Sequence, residues 1–221
     1  MTSSFSKLAR RRRMTRHFLP DRIDDSLLER ILDTARRVPS AGNAQGFDFV
    51  VLRGPSETAR YWDTTLPPDR RESFRWDGLL VCPVLVTLWA DPQAYIDRYG
   101  ETDKERSGLG SGTEAWSTPY WTVDAAFAAL ALQYAALDEG LGVLFFGMFE
   151  HAAALAAALG VPSAHQPVGV VALGWPDRAA EASSGPAASQ DRPRRPLFVD
   201  EPGEAAAADR PLVHWGRWTG G

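Results

Sequence analysis

Between Trp121 and Glu139 the chain is apolar almost without a break, with alanine at positions where another element would have to come close. A helix that is apolar all round has no solvated face to offer, so it belongs in the middle of a domain or against another subunit. Gly140-Leu141-Gly142 ends it. Its longest apolar part, Ala125 to Leu137, contains Gln133 and is too short to span a bilayer. A second constraint is the run from Val81 to Ala90, whose continuous apolar character predicts a central strand buried on both faces. A chain of 221 residues fits one large domain or two small ones and can bury such elements in a sizeable core.

The remaining pattern fills in elements around these two. Leu27, Leu28, Ile31, Leu32, Ala35 and Val38 recur at the spacing of one buried helical face, with Asp24 or Asp25 as a cap and Pro39 as a stop. Phe47 to Leu52 predicts a strand, and Pro55 opens a second helix through Tyr61 and Trp62. Val143 to Phe146 predicts another strand, Ala152 to Leu159 a short alanine-rich helix closed by Gly160, and Pro167 to Leu173 a last strand. Residues 91–119 are mixed, charged and glycine-rich, and so long a stretch without a clear period predicts a functional lid or a mobile loop. Ala179 to Gln190 is a low-complexity run of Ala, Ser, Gly and Pro that reads as a flexible linker. Trp215 and Trp218 near the end predict an arm that packs on something, a second subunit being one option.

Two segments carry chemistry. Arg10-Arg11-Arg12-Arg13-Met14-Thr15-Arg16-His17-Phe18 presents guanidinium groups, whose planar fork suits a phosphate; it also suits a solvated arm or nucleic acid. Pro39-Ser40-Ala41-Gly42-Asn43-Ala44-Gln45-Gly46-Phe47 offers a hydroxyl, two amides and small residues that let backbone N–H groups approach a ring. A net charge of −4 counts against nucleic acid, because such a domain is usually basic over a whole face. Other signatures are missing. Gly140-Leu141-Gly142 meets Phe145 where a dinucleotide fingerprint needs a small residue, and neither Lys7 nor Lys104 follows a glycine as a phosphate loop requires. His17, His151, His165 and His214 show no metal spacing, and Cys82, alone in its apolar run, reads as a packed, inert thiol. Any enzymatic chemistry would therefore be carried by a cofactor. The first residues lack the apolar stretch of a secretory leader, so a cytoplasmic protein is expected.

In this order the pieces resemble the FMN-dependent nitroreductase family. Arg12 to Phe18 resembles its opening motif, and Pro39 to Phe47 resembles its proline-serine-small-x-asparagine-x-glutamine-proline-tryptophan segment. Trp121 to Gly142 is similar to its long interface helix, Gly169 to Gly174 to its last core strand, and Arg217 to its C-terminal phosphate-binding basic residue. The resemblance implies an α+β fold. In it a mixed sheet is flanked by helices, a long central helix lies at a dimer interface, and a C-terminal arm extends onto the partner subunit. It implies one domain over residues 1–221, with a flexible segment at about 179–195 and the arm over 196–221. FMN would lie at the interface of an obligate homodimer. Arg12, Arg16 and Arg217 would hold its phosphate with Arg13 nearby, and Met14, standing where many members have serine, would keep only its backbone amide. Ser40, Gly42 and Gln45 would reach the flavin from the other subunit, with Asn43 either joining them or serving as a turn residue. Phe146 and Gly147 would lie against the isoalloxazine, unless Phe146 is plain core. Gly46-Phe47 replaces the family's proline-tryptophan and implies a looser wall.

The implied activity takes hydride from NAD(P)H onto FMN and passes electrons to a nitroaromatic, a quinone or another small oxidant by a ping-pong mechanism. FMN carries the chemistry, without a catalytic side chain, a metal, nucleic acid or a membrane. Two alternatives stand beside it. One is a flavin enzyme for a biosynthetic oxidation or flavin fragmentation without efficient NAD(P)H turnover, and the other a flavin-binding protein without catalysis.

Overall fold

The computed structural model describes residues 4–184, 195–196 and 212–216. Two units divide the chain, residues 1–181 and residues 182–221. In the second, the Leu212 N–H donates to the Pro196 carbonyl at 3.0 Å. Everything else below belongs to the first unit, apart from the last turn of its final helix.

A short helix, α1 (Ser4–Arg11), carries the first arginines. In α2 (Asp25–Ala35) the buried residues are Leu28, Ile31 and Ala35, the stripe that the periodicity predicts. β1 (Phe47–Arg53) leads into α3 (Gly54–Thr65), which has Pro55 in its first turn. Two single-turn helices, α4 (Pro68–Arg71) and α5 (Asp77–Leu80), precede β2 (Val84–Ala90), every residue of which is buried. Then come α6 (Pro92–Gly100), α7 (Tyr120–Asp138), β3 (Gly142–Phe146), α8 (Ala152–Leu159), β4 (Gln166–Gly174) and α9 (Arg178–Ser183).

The strands form one sheet in the order β1-β2-β4-β3. Successive side chains of a strand point to opposite faces, so a central strand feeds two cores. Val84, Val86 and Leu88 of β2 join Ile31 of α2 and Leu132 and Ala136 of α7 on one face. Leu85 and Trp89 join Tyr61 and Trp62 of α3 and Leu155 of α8 on the other. Fully burying each large side chain contributes about 1.5–3 kcal/mol, and β2 alone places Val84, Leu85, Val86, Leu88 and Trp89 in these two cores. Cys82 lies in the second core, where burial pushes its thiol up to about 12.

Three features differ from the sequence expectation. Every pairing among the described strands is antiparallel, so none of these four gives the sheet a mixed character. Residues 91–119 hold α6 and three single-turn 3-10 segments, Glu105–Ser107, Leu109–Ser111 and Thr113–Ala115. The helix starts there because the Asp91 side chain accepts the Gln93 N–H and Pro92 occupies the first turn, where its missing N–H costs nothing. Finally, α9 occupies Ala179 to Ser183, the start of the segment read as a linker. Asp177 caps it by accepting the N–H groups of Ala179 and Ala180.

Candidate functional site

The arginine segment runs along the sheet end formed by Gly142 and Gly174. Thr15 N–H donates to the Val143 carbonyl at 2.8 Å, and Leu19 N–H to the Trp175 carbonyl at 2.8 Å. Phe18 is buried and bridges to Pro176. One Glu181 carboxylate oxygen accepts the backbone N–H groups of both Arg16 and His17, so α9 holds the segment in place. Composition alone hid this anchor, because a single glutamate in an alanine-rich run carries no period.

Four side chains of that segment meet different fates. Arg12 is half-buried, and its Nη1 is buried with no hydrogen-bond partner among the described residues. Arg13 is exposed. Met14 packs half-buried against the second core and offers its carbonyl to Arg16 Nη1 at 3.3 Å. The Arg16 guanidinium carbon stands 5.4 Å from the centre of the Trp76 ring. Arg217 lies outside the described residues.

The polar loop enters the sheet at the opposite end, where Phe47 pairs with Ala90. Within it Gly42, Asn43 and Gln45 all adopt positive φ, at 62°, 59° and 52°. Glycine is needed at position 42, since a Cβ there would come within 2.8 Å of the Tyr99 ring. Left-handed backbone at Asn43 and Gln45 costs about 1–3 kcal/mol each unless the surroundings enforce it. Here they do. Ser40 accepts from Asn43 N–H through its carbonyl at 2.9 Å and from Gln45 N–H through its hydroxyl at 3.0 Å. Arg98 Nε donates to the Gly42 carbonyl at 2.8 Å while its other nitrogens hold Glu101 and Asp103, which keeps the Asp103 carboxyl below its usual range. Asn43 sits in the turn with its side chain exposed, and its Oδ1 accepts Gln45 Nε2 at 3.3 Å.

Beneath the loop sits Asp124, 2% exposed on α7. Its Oδ2 accepts Ala41 N–H at 2.8 Å and the Tyr95 hydroxyl at 2.7 Å. Burial and the adjacent carboxylate both raise the Tyr95 phenol far above its ordinary range. Tyr95 also explains Gly46. A Cβ at that position would lie 2.6 Å from the Tyr95 ring and 2.7 Å from the Asp91 carbonyl, so the ring fills the wall that the sequence suggested was loose. The loop, α6 and α7 enclose a cleft of about 320 Å³, lined by Ala41, Tyr99, Leu109, Trp116 and Tyr120 among others. The Trp116 indole donates to the Leu109 carbonyl at 2.9 Å and meets Tyr99 edge-on at 4.7 Å.

Phe146 and Gly147 end β3. The Phe146 ring is half-buried and meets Tyr61 edge-on at 6.0 Å. Beyond Gly147, Phe149 takes a positive φ of 47° and is 78% exposed, and a Cβ on Gly147 would lie 3.3 Å from its ring. Sequence reasoning missed Asp124, Tyr95, Arg98 and Phe149. Only Asp124 left a signal, as a lone carboxylate inside an apolar helix.

The two segments are not brought together within one chain. They sit at opposite ends of the sheet, and α7 runs between them: Asp124 holds the loop, and Tyr134 meets Phe5 of α1 at 5.5 Å. Ten residues of helix separate those contacts by about 15 Å. No group of His, Cys, Asp and Glu suited to a metal occurs among the described residues. No described helix is long and apolar enough to cross a membrane.

An α+β sheet covered by helices on both faces, with an arginine segment at one end and a rigid polar loop at the other, has known counterparts. The chain belongs to the nitroreductase family, whose model matches residues 9–175. It is 28% identical over 178 residues to the 5,6-dimethylbenzimidazole synthase of Rhodospirillum rubrum, covering 75% of this chain and 78% of that protein. It is 29% identical over 184 residues to an NADH dehydrogenase of Thermus thermophilus, covering 76% and 84%. Among solved structures it superposes with a TM-score of 0.64 on a candidate nitroreductase of Exiguobacterium sibiricum in complex with FMN. That match has 18% identity and covers 85% of this chain and 93% of the other.

Proposed function

We propose that the chain is an FMN-dependent oxidoreductase that works as a homodimer, with Arg12 and Arg16 holding the flavin phosphate. The observation that carries the reading is the buried Arg12 Nη1, which has no partner among the described residues. A buried guanidinium N–H with no acceptor is costly, and a phosphate oxygen supplies both the acceptor and the charge. Arg217 would complete the phosphate site and Arg13 would lie at its edge. Ser40, Gly42, Asn43 and Gln45 would reach the flavin from the partner, since within one chain they stand at the far end of the sheet from Arg12. Phe146 and Gly147 would form the wall beside the ring. The side of α7 that no described element of the first unit covers exposes Tyr120, Phe127 and Leu130, which suits burial against a second copy. The closing arm, residues 196–221, would extend onto that copy.

Bound FMN supplies a two-electron carrier that accepts hydride from NAD(P)H and delivers electrons to a small oxidant. The protein's part is to fix the ring, orient the phosphate and shape the cleft. Tyr99, Trp116 and Tyr120 favour a planar aromatic oxidant there, such as a nitroaromatic or a quinone. The likeness to a 5,6-dimethylbenzimidazole synthase favours a second reading, a flavin enzyme of biosynthetic oxidation or fragmentation that turns over NAD(P)H poorly.

The test is an absorbance spectrum of the purified protein followed by anaerobic NADH and NADPH. A flavin band near 450 nm that bleaches, with parallel double-reciprocal lines in turnover, supports the first reading. A flavin band that persists supports the second. Protein that is colourless and takes up no FMN refutes both. Arg12→Ala should weaken FMN binding by about 1–3 kcal/mol, the scale of a lost charged hydrogen bond.

A further inference from the structure

A long, flexible cation binds a phosphate well only when it is held in place. Arg13, two residues before Thr15, is exposed. Arg16 is held twice, by the Met14 carbonyl at Nη1 and by the face of Trp76 at 5.4 Å. That leaves most of the guanidinium N–H groups for a ligand. Arg75 approaches the same ring at 5.5 Å.

Trp76 is itself fixed. Phe74 meets it edge-on at 6.0 Å, Trp62 meets Phe74 at 6.3 Å, Tyr61 meets Trp62 edge-on at 5.0 Å, and Phe146 meets Tyr61 edge-on at 6.0 Å. Five rings in contact therefore run from the Arg16 guanidinium to Phe146, the two places assigned above to the phosphate and to the ring of the flavin. Three of the four contacts are edge-to-face and the Trp62–Phe74 contact is tilted, geometries that favour one arrangement over others, so the row resists sliding. Trp62 and Tyr61 are buried, which roots the row in the second core.

We infer that Trp76 is the positioning residue for Arg16, presetting its guanidinium for the flavin phosphate through a row of aromatic rings that ends at Phe146. The inference rests on the assignment of Arg16 to the flavin. A cation held over an indole loses little freedom when the phosphate arrives, and the cation–π contact supplies the hold. Arg75, on the same ring but outside the arginine segment, has no part in it.

The experiment is a titration of apo-protein with FMN, followed by quenching of flavin fluorescence, with the melting temperature of each apo-protein measured alongside. The variants are Trp76→Phe, Trp76→Leu, Arg16→Ala, Arg75→Ala and Trp76→Leu combined with Arg16→Ala. Leucine fills much of the space of the indole without a π face. Trp76→Leu should weaken FMN binding roughly 3–10-fold, the range of a partly exposed cation–π contact, while Trp76→Phe recovers part of the loss and Arg75→Ala changes nothing. In the Arg16→Ala background Trp76→Leu should have no further effect on affinity. A purely structural Trp76 would weaken binding equally in both backgrounds, and that result overturns the inference. So does full affinity in Trp76→Leu when Arg16→Ala is impaired. Full affinity in Arg16→Ala itself, with Arg12→Ala impaired, removes Arg16 from the phosphate site and this inference with it.

Discussion

Replacing Asp124 should loosen the polar loop more than its single-residue size suggests. Its Oδ2 serves two donors, Ala41 N–H and Tyr95 O–H. Truncation to alanine leaves both without an acceptor. Tyr95 is 0% exposed, so its hydroxyl bears the full cost of a buried unpaired donor, about 1–3 kcal/mol. Ala41 is only half-buried, and water can reach its N–H after a small shift, so its share is about 1 kcal/mol or less. The sum is about 1–4 kcal/mol, or roughly 0.5–2 M in the urea midpoint at a denaturant slope of about 2 kcal/mol/M. Asp124→Asn keeps one acceptor oxygen and should cost about half as much. Tyr95→Phe removes one of the two donors and should cost about 1–2 kcal/mol. In the double variant the two changes should fall short of additivity by about 1 kcal/mol, because they remove the same bond. Equilibrium urea unfolding by circular dichroism reads the wild type and all four variants. A midpoint unchanged in Asp124→Ala, or strict additivity in the cycle, would refute the view that this carboxylate clamps the loop.

Other outcomes follow from single sites. Stability should fall on the alkaline side: Cys82 and Tyr61 are raised to about 12 and Tyr95 higher still. The unfolded chain then loses these protons first, from about pH 9 to 10, and folding free energy drops as pH rises toward 12; a flat urea midpoint between pH 8 and 11 would contradict this. Gly46→Ala should destabilise by about 1–3 kcal/mol through overlap with Tyr95 and the Asp91 carbonyl, read by thermal unfolding, and a neutral result would mean the wall is softer than it looks. Phe149→Gly should raise the melting temperature, since about 1 kcal/mol of left-handed strain is relieved while an exposed ring gives up little burial. If FMN affinity falls at the same time, the strain at Phe149 serves the site.

Much of the architecture was legible because it is written in periodicity. β2 was visible as an unbroken apolar run and α7 as a helix with no polar face, and both occupy the core as such patterns require. Phe127 and Leu130 of α7 are exposed, since the described residues of the first unit cover only part of this helix. The stretch from 91 to 119 was harder. Tyr95 and Tyr99 of α6 face a neighbouring loop and a tryptophan, so their spacing carries no amphipathic signature, and only Asp91-Pro92 marked a helix start. Likewise the Ser40–Gln45 segment was readable as residue types. Its rigidity was not, because Asp124 and Arg98 that enforce it lie 83 and 56 residues away in sequence from the groups they bind.

The placement of the arginines and the loop at opposite ends of one sheet has a genetic consequence. If each cradle draws its arginines from one chain and its loop from the other, an Arg12 variant and a loop variant are defective in different halves. A mixed dimer of the two then contains one cradle with both lesions and one with neither. Co-expressed in equal amounts, two inactive alleles should therefore restore about a quarter of all sites, by the statistics of a two-fold assembly.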